Sequence, residues 1–211
     1  MSLVTFLPKE LREELMLYCF EITCVLDEIP PFQIPHGVRR KSEDTIVNLA
    51  VREGCLSLLK WAINKKYPCR SDVSHIAARQ GHLHILQYIR TVKEFPWKEW
   101  THFSCFFAAQ GGHLEILQWL HDQECPWDKK TCQIAAQEGH LPILKWLLKE
   151  GCPWNKIDCI EAAIEYNQLV ILQWIRGSYC PWPFTFVLKY AKQLQKYDIV
   201  KWIEGEDITD C

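Results

Sequence analysis

The sequence predicts an all-α protein in which about six short helical hairpins follow one another behind an N-terminal helical cap. A Gly-His-Leu motif recurs at Gly81, Gly112 and Gly139, and an aromatic residue follows each copy at a fixed distance. These aromatic residues recur every 27 to 31 residues along most of the chain. Such a period is typical of a repeat architecture, in which each unit buries its apolar face only by stacking on its neighbours.

The composition is that of a folded chain and excludes several classes of protein. Of the 211 residues 48% are hydrophobic, which is enough for a packed core. The 24 Lys and Arg residues nearly balance the 26 Asp and Glu residues, so the basic excess typical of phosphate-binding surfaces is absent. Glu21 interrupts the longest apolar run, at 15–26, which is too short to span a membrane. We therefore expect neither nucleic acid nor a membrane as a partner.

The repeat can be followed from residue 42 to residue 205. A weaker copy of the motif starts at Gly54, three full copies follow, and two eroded copies contain Asn167 and Gln195. The aromatic residues that mark the six copies are Trp61, Tyr88, Trp119, Trp146, Trp174 and Trp202. We expect these rings to pack in the apolar core of the stack.

Each copy contains the signals for two helices, as the copy at 128–154 illustrates. Asp128 is a suitable N-cap, and Gly139 supplies the left-handed residue that ends the first helix. Leu, Ile and Trp at helical spacing then form a second helix, which Pro153 stops. The first helices carry pairs of alanines where the second helices carry large side chains. We therefore expect the first helices to pack more closely, which curves the stack.

The shared pattern A-A-x-x-G-H-L-x-I-L-x-W-L resembles the helix pair of ankyrin repeats. The resemblance is best over 79–89, 110–120 and 137–147. It implies a non-catalytic protein–protein interaction module. The copies here are shorter than the 33 residues of the family, and the missing residues lie where the family has its β-turn finger. Short, Trp-rich repeats of this kind are similar to those of large DNA viruses and some protists.

Three repeated histidines, His82, His113 and His140, are interpreted as structural residues. The resemblance implies that they hold the turn between the two helices through hydrogen bonds to nearby backbone. A residue that recurs from copy to copy is expected to have a structural role that each copy needs. A catalytic histidine is therefore not predicted. No Ser-His-Asp or Cys-His grouping stands out either, so the chain is not expected to be an enzyme.

The 11 cysteines are expected to be reduced, because the chain lacks the basic and apolar start of a secretory signal. Equivalent cysteines of stacked copies, such as Cys125 and Cys152, would lie on the order of 10 Å apart. That distance is too long for a shared zinc ion with Zn–S bonds of about 2.3 Å. We expect the cysteines to be small buried side chains, and we expect neither a metal nor a cofactor. The protein is expected to be cytoplasmic, and its size also permits entry into the nucleus.

The predicted partner-binding residues vary between copies while the core hardly changes. They are expected to line the concave face of the stack, after the alanine pairs, or to lie in the fingers between copies, one of which is longer than the others. In this longer segment we expect Trp97 to be buried, like Trp127 and Trp154, and Trp100 to be exposed as an interface hot spot. The predicted set is Arg79, Gln80, Lys98, Trp100, Gln110, Lys129, Lys130, Gln137 and Glu138.

The ends of the chain do not follow the repeat, which predicts segments at 1–41 and 206–211 on either side of the repeats at 42–205. The N-terminal segment combines a helix with a proline-rich loop, and Leu7, Leu11 and Leu15 form part of its apolar stripe. The simplest interpretation is a cap that covers the first repeat. Alternatively, Leu-Pro-Lys-Glu-Leu resembles the opening of an F-box, which implies a substrate adaptor of a ubiquitin ligase. A purely structural spacer is a third hypothesis, and a monomer is expected throughout.

Overall fold

A computed structural model describes residues 46–64, 66–67, 69, 72–92, 101–178 and 181–205. All the regular secondary structure in these residues is helical, which confirms the predicted all-α class. The chain divides into two compact units, residues 1–69 and 70–211. The described residues do not include the predicted binding residues Lys98 and Trp100, the residue Trp97, the N-terminal segment with Leu7, Leu11 and Leu15, or the tail at 206–211.

The described residues of the first unit form a helical hairpin. Helix α1 (Ile46–Arg52) and helix α2 (Leu56–Asn64) pack against each other, and the chain turns between them at Gly54, whose φ is 69°. The buried residues of the hairpin are Val47, Asn48, Ala50, Val51, Leu59 and Ala62. The ring of Trp61 lies 5.5 Å from that of Tyr67.

The second unit contains five consecutive hairpins in the described residues. In each hairpin a first helix is followed by a second helix after a short turn. The helices are α3 (Val73–Gln80), α4 (Leu83–Thr91), α5 (His102–Gly111), α6 (Leu114–Asp122), α7 (Lys129–Gln137), α8 (Leu141–Lys149), α9 (Lys156–Glu165), α10 (Leu169–Ser178), α11 (Phe184–Gln193) and α12 (Tyr197–Gly205).

The first helices form the closely packed layer of this unit. Each of α3, α5, α7 and α9 packs on the next first helix, whereas no described second helix contacts the next second helix as extensively. The alanine pairs allow the close approach, because a methyl group is small and lets the backbones of neighbouring helices come near one another. Ala77, Ala78, Ala108, Ala109, Ala135, Ala136 and Ala163 are fully buried, and Ala162 is nearly so. The prediction that the first helices pack more closely than the second is confirmed.

The helix ends follow the local sequence signals. The side chain of Asp128 accepts a hydrogen bond of 3.0 Å from the backbone N–H of Lys130, so the predicted N-cap of α7 is confirmed. Asn155 caps α9 in the same way. Gly139 ends the first helix with a φ of 77°, a left-handed conformation that most residues adopt only with strain. In an eroded copy Asn167 takes this conformation, which asparagine tolerates better than most other residues.

The aromatic residues that mark the repeats are half-buried, which corrects the expectation that they belong to the core. Leucine and isoleucine side chains, such as Leu144 and Leu147, fill the interior of the second helices. The indoles of Trp146 and Trp202 lie beside the core, where each meets the Trp of a Pro-Trp pair. The rings of Trp127 and Trp146 are 5.7 Å apart in an edge-on arrangement. Trp127 and Trp154 are accordingly half-buried as well, not buried as expected.

Candidate functional site

The first helices present one side away from the alanine pairs, and we call this side the first-helix face. On α5 the buried residues are Ser104, Cys105, Ala108 and Ala109. Phe103 and Phe107 are one helical turn apart, so their side chains share a face. Phe103 is 45% exposed. The first-helix face of α5 therefore carries accessible aromatic surface.

An aromatic cluster joins two neighbouring first helices on this face. It consists of His75 on α3 with Phe103 and Phe107 on α5. The ring of His75 stacks on Phe107 at a centroid distance of 5.3 Å and lies 5.8 Å from Phe103. Burial of the imidazole lowers the pKa of His75, although the charge of Asp72 opposes this shift. The cluster thus favours a neutral histidine and an apolar surface at neutral pH.

Three equivalent positions at the start of consecutive first helices are exposed and chemically different. Phe103, Lys130 and Ile157 each precede the first alanine of their helix by five positions. All three side chains are exposed, so the row reads aromatic, basic and aliphatic along the stack. We call these residues the N-terminal row. Helices in contact lie 8–10 Å apart, which sets the approximate spacing of the row.

Polar contacts link neighbouring first helices at both of their ends, and one of them lies beside the N-terminal row. Lys129 Nζ lies 3.5 Å from Asp158 Oδ2 on the next first helix, an exposed pair that adds little to stability. Further along, Tyr190 donates a hydrogen bond of 2.5 Å to Glu165 Oε1. This bond raises the pKa of Tyr190 to about 12. Both contacts link neighbouring first helices at the surface.

The other predicted binding residues lie at the opposite ends of the first helices. Arg79 and Gln80 are exposed at the end of α3, whereas Gln110, Gln137 and Glu138 are half-buried. Gln137 Nε2 donates a hydrogen bond of 3.0 Å to Glu138 Oε1. The structure therefore places Lys129 and Lys130 at one end of the first helices and the other five residues at the other end.

Two of the three repeated histidines hold consecutive repeats together. His113 Nε2 lies 3.1 Å from the carbonyl oxygen of Arg79, and His140 Nε2 lies 3.3 Å from that of Gln110. Each acceptor belongs to the preceding repeat. The predicted structural role is thus realised between repeats, which corrects the expectation of bonds within one turn. In an eroded copy Gln168 Nε2 makes the equivalent bond to the carbonyl oxygen of Gln137, at 2.9 Å.

Sequence reasoning missed the aromatic cluster because His75 and Phe107 come from different repeats. The spacing of Phe103 and Phe107 could have indicated a shared face, since both lie on the side of α5 away from its alanine pair. The contact with His75 depends on the packing between repeats. Single-repeat patterns do not contain that information.

Metal binding and membrane insertion have no support within the described residues. No group of three or more His, Cys, Asp or Glu side chains there is arranged to hold a metal ion. None of the helices in the described part of the chain is long and apolar enough to cross a membrane.

A family model of ankyrin repeats matches residues 74–158 with three copies. Residues 74–158 are ankyrin repeats. This range begins in α3 and ends in α9, so it includes the aromatic cluster and the N-terminal row. No curated protein matches the chain. Ankyrin repeats are generally protein-interaction modules and the family is typically non-enzymatic.

Proposed function

We propose that this chain is a non-catalytic module that binds a protein partner on its first-helix face. The observation that carries the proposal is the N-terminal row, because three equivalent positions of consecutive ankyrin repeats are exposed and differ in chemistry. A purely structural position would be expected to keep one type of side chain in every copy. Exposed apolar residues within a polar surround are also typical of interface centres.

The chemistry of the face defines the class of partner. Phe103 and Ile157 offer apolar contacts, and Lys130 lies between them with an ammonium group exposed to solvent. We therefore propose a partner segment in which an acidic side chain lies between two apolar ones. The aromatic cluster would take the larger apolar side chain, because Phe103 and Phe107 lie on the same face of α5 and Phe103 is 45% exposed.

The predicted residues outside the row form the proposed edge of the surface. Arg79 and Gln80 are exposed at the C-terminal end of α3, the helix that also carries His75. Gln110, Gln137 and Glu138 lie at the C-terminal ends of the next two first helices. Lys98 and Trp100 belong to the longer segment between two repeats, and we propose that they extend the surface there. Contacts at such an edge affect specificity more than affinity.

Affinity purification with mass spectrometry tests the proposal. The full chain is compared with Phe103→Ser/Ile157→Ser and with Lys130→Glu. Because all three residues are exposed, we expect both variants to remain folded, and circular dichroism checks this. We expect each variant to lose the same partner by at least tenfold, since hot-spot residues contribute about 2 kcal/mol or more each.

The matched control is Val170→Ser, which removes an apolar side chain that is 59% exposed on the second helix α10. This variant should keep the partner. If the control and the first-helix variants capture the partner equally well, the proposed surface is wrong. If ubiquitin-ligase subunits are captured and lost only with Leu11→Asp/Leu15→Asp, the adaptor hypothesis replaces the one proposed here.

A further inference from the structure

Two cysteines of one hairpin face each other inside the second unit. Cys105 lies on the first helix α5 and is fully buried, and Cys125 lies in the segment after the second helix α6 and is 4% exposed. Their sulfur atoms are 3.3 Å apart, and the Cys105 thiol donates a hydrogen bond to the Cys125 sulfur. The Cys125 thiol in turn lies 3.5 Å from the carbonyl oxygen of Thr101.

The next hairpin repeats the arrangement. Cys132 lies on α7 and is fully buried, and Cys152 lies after α8 and is 4% exposed. The Cys152 side chain raises the pKa of Cys132, so the two thiols are neighbours. The Cys152 sulfur is 3.5 Å from the carbonyl oxygen of Asp128, which is the position equivalent to Thr101. The same pair thus occurs twice in succession.

The fold pairs cysteines that the sequence pattern does not. The pattern aligns Cys125 with Cys152 as equivalents, and it places Cys125 only seven positions before Cys132. The structure instead joins each first-helix cysteine to the cysteine 20 residues later, at the end of the same hairpin. We call Cys105–Cys125 and Cys132–Cys152 the two dithiol pairs.

We propose that the two dithiol pairs are modification sites at which a small peroxide converts each pair to a disulfide. A bonded disulfide has an S–S length of about 2.05 Å, so the sulfurs of Cys105 and Cys125, which are 3.3 Å apart, need to approach by little more than one ångström. Both members of a pair belong to one rigid hairpin. The reaction therefore requires no separation of neighbouring repeats, only entry of the oxidant to the sulfur with residual exposure.

The oxidation proceeds in two balanced steps. The Cys125 sulfur attacks one oxygen of hydrogen peroxide, the O–O bond breaks, and a sulfenic acid and one water form. The Cys105 sulfur then attacks the Cys125 sulfur, the S–S bond forms, and the hydroxyl group leaves with the thiol proton as a second water. Two thiols and one peroxide thus give one disulfide and two waters. Cys152 and Cys132 react in the same order.

The order of attack follows from the surroundings of each thiol. Cys125 and Cys152 retain slight exposure, whereas Cys105 and Cys132 have none. The hydrogen bond to the partner thiol, together with burial, raises the pKa of Cys105 and of Cys132 far above its ordinary value. Cys105 and Cys132 therefore remain protonated, so the slightly exposed sulfurs of Cys125 and Cys152 are the ones that meet the oxidant first.

The disulfide would connect the start of a first helix with the segment that leads to the next repeat. Each link closes a loop of about 20 residues, which restricts the unfolded chain more than the folded hairpin. We therefore expect oxidation to raise the midpoint of thermal unfolding by several degrees and a reductant to reverse the shift.

Peptide mapping tests the proposal on the full chain. The reduced protein is treated with hydrogen peroxide, unfolded, alkylated at its remaining thiols and digested without a reductant. Trypsin together with a glutamyl endopeptidase separates the cysteines, because Glu115, Glu124, Lys130, Lys149 and Lys156 lie between or beside them. We expect the peptides of Cys105 and Cys125 to be linked, and likewise those of Cys132 and Cys152, each link with the loss of two hydrogen atoms.

Protein oxidised after unfolding in urea is the reference for random pairing. Cys125→Ala should abolish the first link and retain the second, and Cys152→Ala should do the reverse. Cys55→Ala is the matched control, because Cys55 lies in the first unit outside both pairs. The proposal is overturned if Cys105 and Cys132 are still alkylated after peroxide treatment, or if the links match those of the unfolded protein. Wild-type mapping decides this even where a variant does not fold.

Discussion

At the residue scale, Gly112 has to be glycine for two reasons. Its backbone is left-handed, and the histidine ring of the next repeat leaves no room for a side chain. Gly112 has a φ of 80°, and a Cβ atom there would lie 2.7 Å from Cε1 of His140. Gly151 has nearly the same φ, 81°, but a Cβ atom there would meet no atom within 4 Å. The two glycines therefore share the backbone requirement, and only Gly112 has the steric one as well.

This comparison predicts different costs for the same substitution. Gly151→Ala should lower the free energy of unfolding by about 1–2 kcal/mol, the cost of the left-handed conformation. Gly112→Ala should cost at least about 1 kcal/mol more, because the methyl group displaces the His140 ring and its hydrogen bond. Urea denaturation of both variants measures the difference. Equal losses would mean that the ring moves aside freely.

The histidine itself should be replaceable by glutamine. Gln168 already makes the equivalent bond between repeats. We expect His140→Gln to change the free energy of unfolding by less than about 0.5 kcal/mol, and His140→Leu to lower it by about 1–3 kcal/mol because the Gln110 carbonyl loses its partner. Denaturation curves of the two variants test this. If the glutamine variant is as unstable as the leucine variant, the His140 ring stabilises the fold by packing and not by its hydrogen bond.

His75 should make stability depend on pH. Because folding lowers its pKa, the unfolded chain binds a proton at higher pH than the folded chain does. Its contribution is therefore fully present above the unfolded pKa of about 6.5 and is lost as the pH falls from there towards the folded pKa. We expect His75→Phe to lose less stability than the wild type between pH 7 and pH 5. Urea denaturation of both proteins at the two pH values measures this difference. If the free energy of unfolding changes equally in the wild type and in His75→Phe, the lowered pKa of His75 is contradicted.

At the element scale, the tryptophans of the Pro-Trp segments pack on the second helices. The ring of Trp127 stacks on His121 at 4.3 Å and meets Trp146 of the next second helix at 5.7 Å. The Trp182 and Trp202 rings are in an equivalent contact at 6.2 Å. A segment without regular structure is thus held by aromatic contacts on two successive second helices.

Removing one of these rings should loosen two repeats together. We expect Trp127→Ala to lower the free energy of unfolding by about 2 kcal/mol, less than for a core tryptophan because the ring is half-buried. Trp127→Phe should recover part of the loss. Hydrogen exchange should show weaker protection in both α6 and α8. A loss confined to α6 would show that the contact with Trp146 does not hold the repeats together.

The helices and turns could be predicted from the sequence, because caps, glycines and prolines act locally. Asp128 and Gly139 have the predicted roles. The dithiol pairs and the aromatic cluster could not, since their members are 20 and 28 to 32 residues apart and meet only through packing. The half-buried tryptophans were also missed, because helical periodicity marks an apolar face but does not show which of its side chains reach the interior.

At the scale of the whole molecule, the second unit is a linear array in which each repeat contacts its neighbours. Leu86, Leu117, Leu144 and Leu172 occupy equivalent positions and are fully buried. In such arrays the stability is approximately a sum of repeat terms and nearest-neighbour terms. Coupling between substitutions should therefore depend on how many repeats separate them.

Double-mutant cycles test this coupling. Leu117→Ala and Leu144→Ala lie in consecutive hairpins, and we expect their effects on the free energy of unfolding to deviate from additivity by about 0.5 kcal/mol or more. Leu86→Ala and Leu172→Ala lie three hairpins apart and should add within about 0.5 kcal/mol. Equal coupling for both pairs would indicate a single cooperative core rather than an array.

The bonds between repeats also have a consequence for how such a chain changes by duplication. The copies that contain His113 and His140 each carry a ring that bonds to a carbonyl of the copy before it, and Gln110 and Gln137 supply carbonyls that accept from the copy after them. Copying one unit of 27 residues, such as that from Gly112 to Gly139, would create a new junction with the same donor and acceptor as the old ones. We therefore expect that such a unit can be duplicated within 112–168 while the bonds between these repeats are kept.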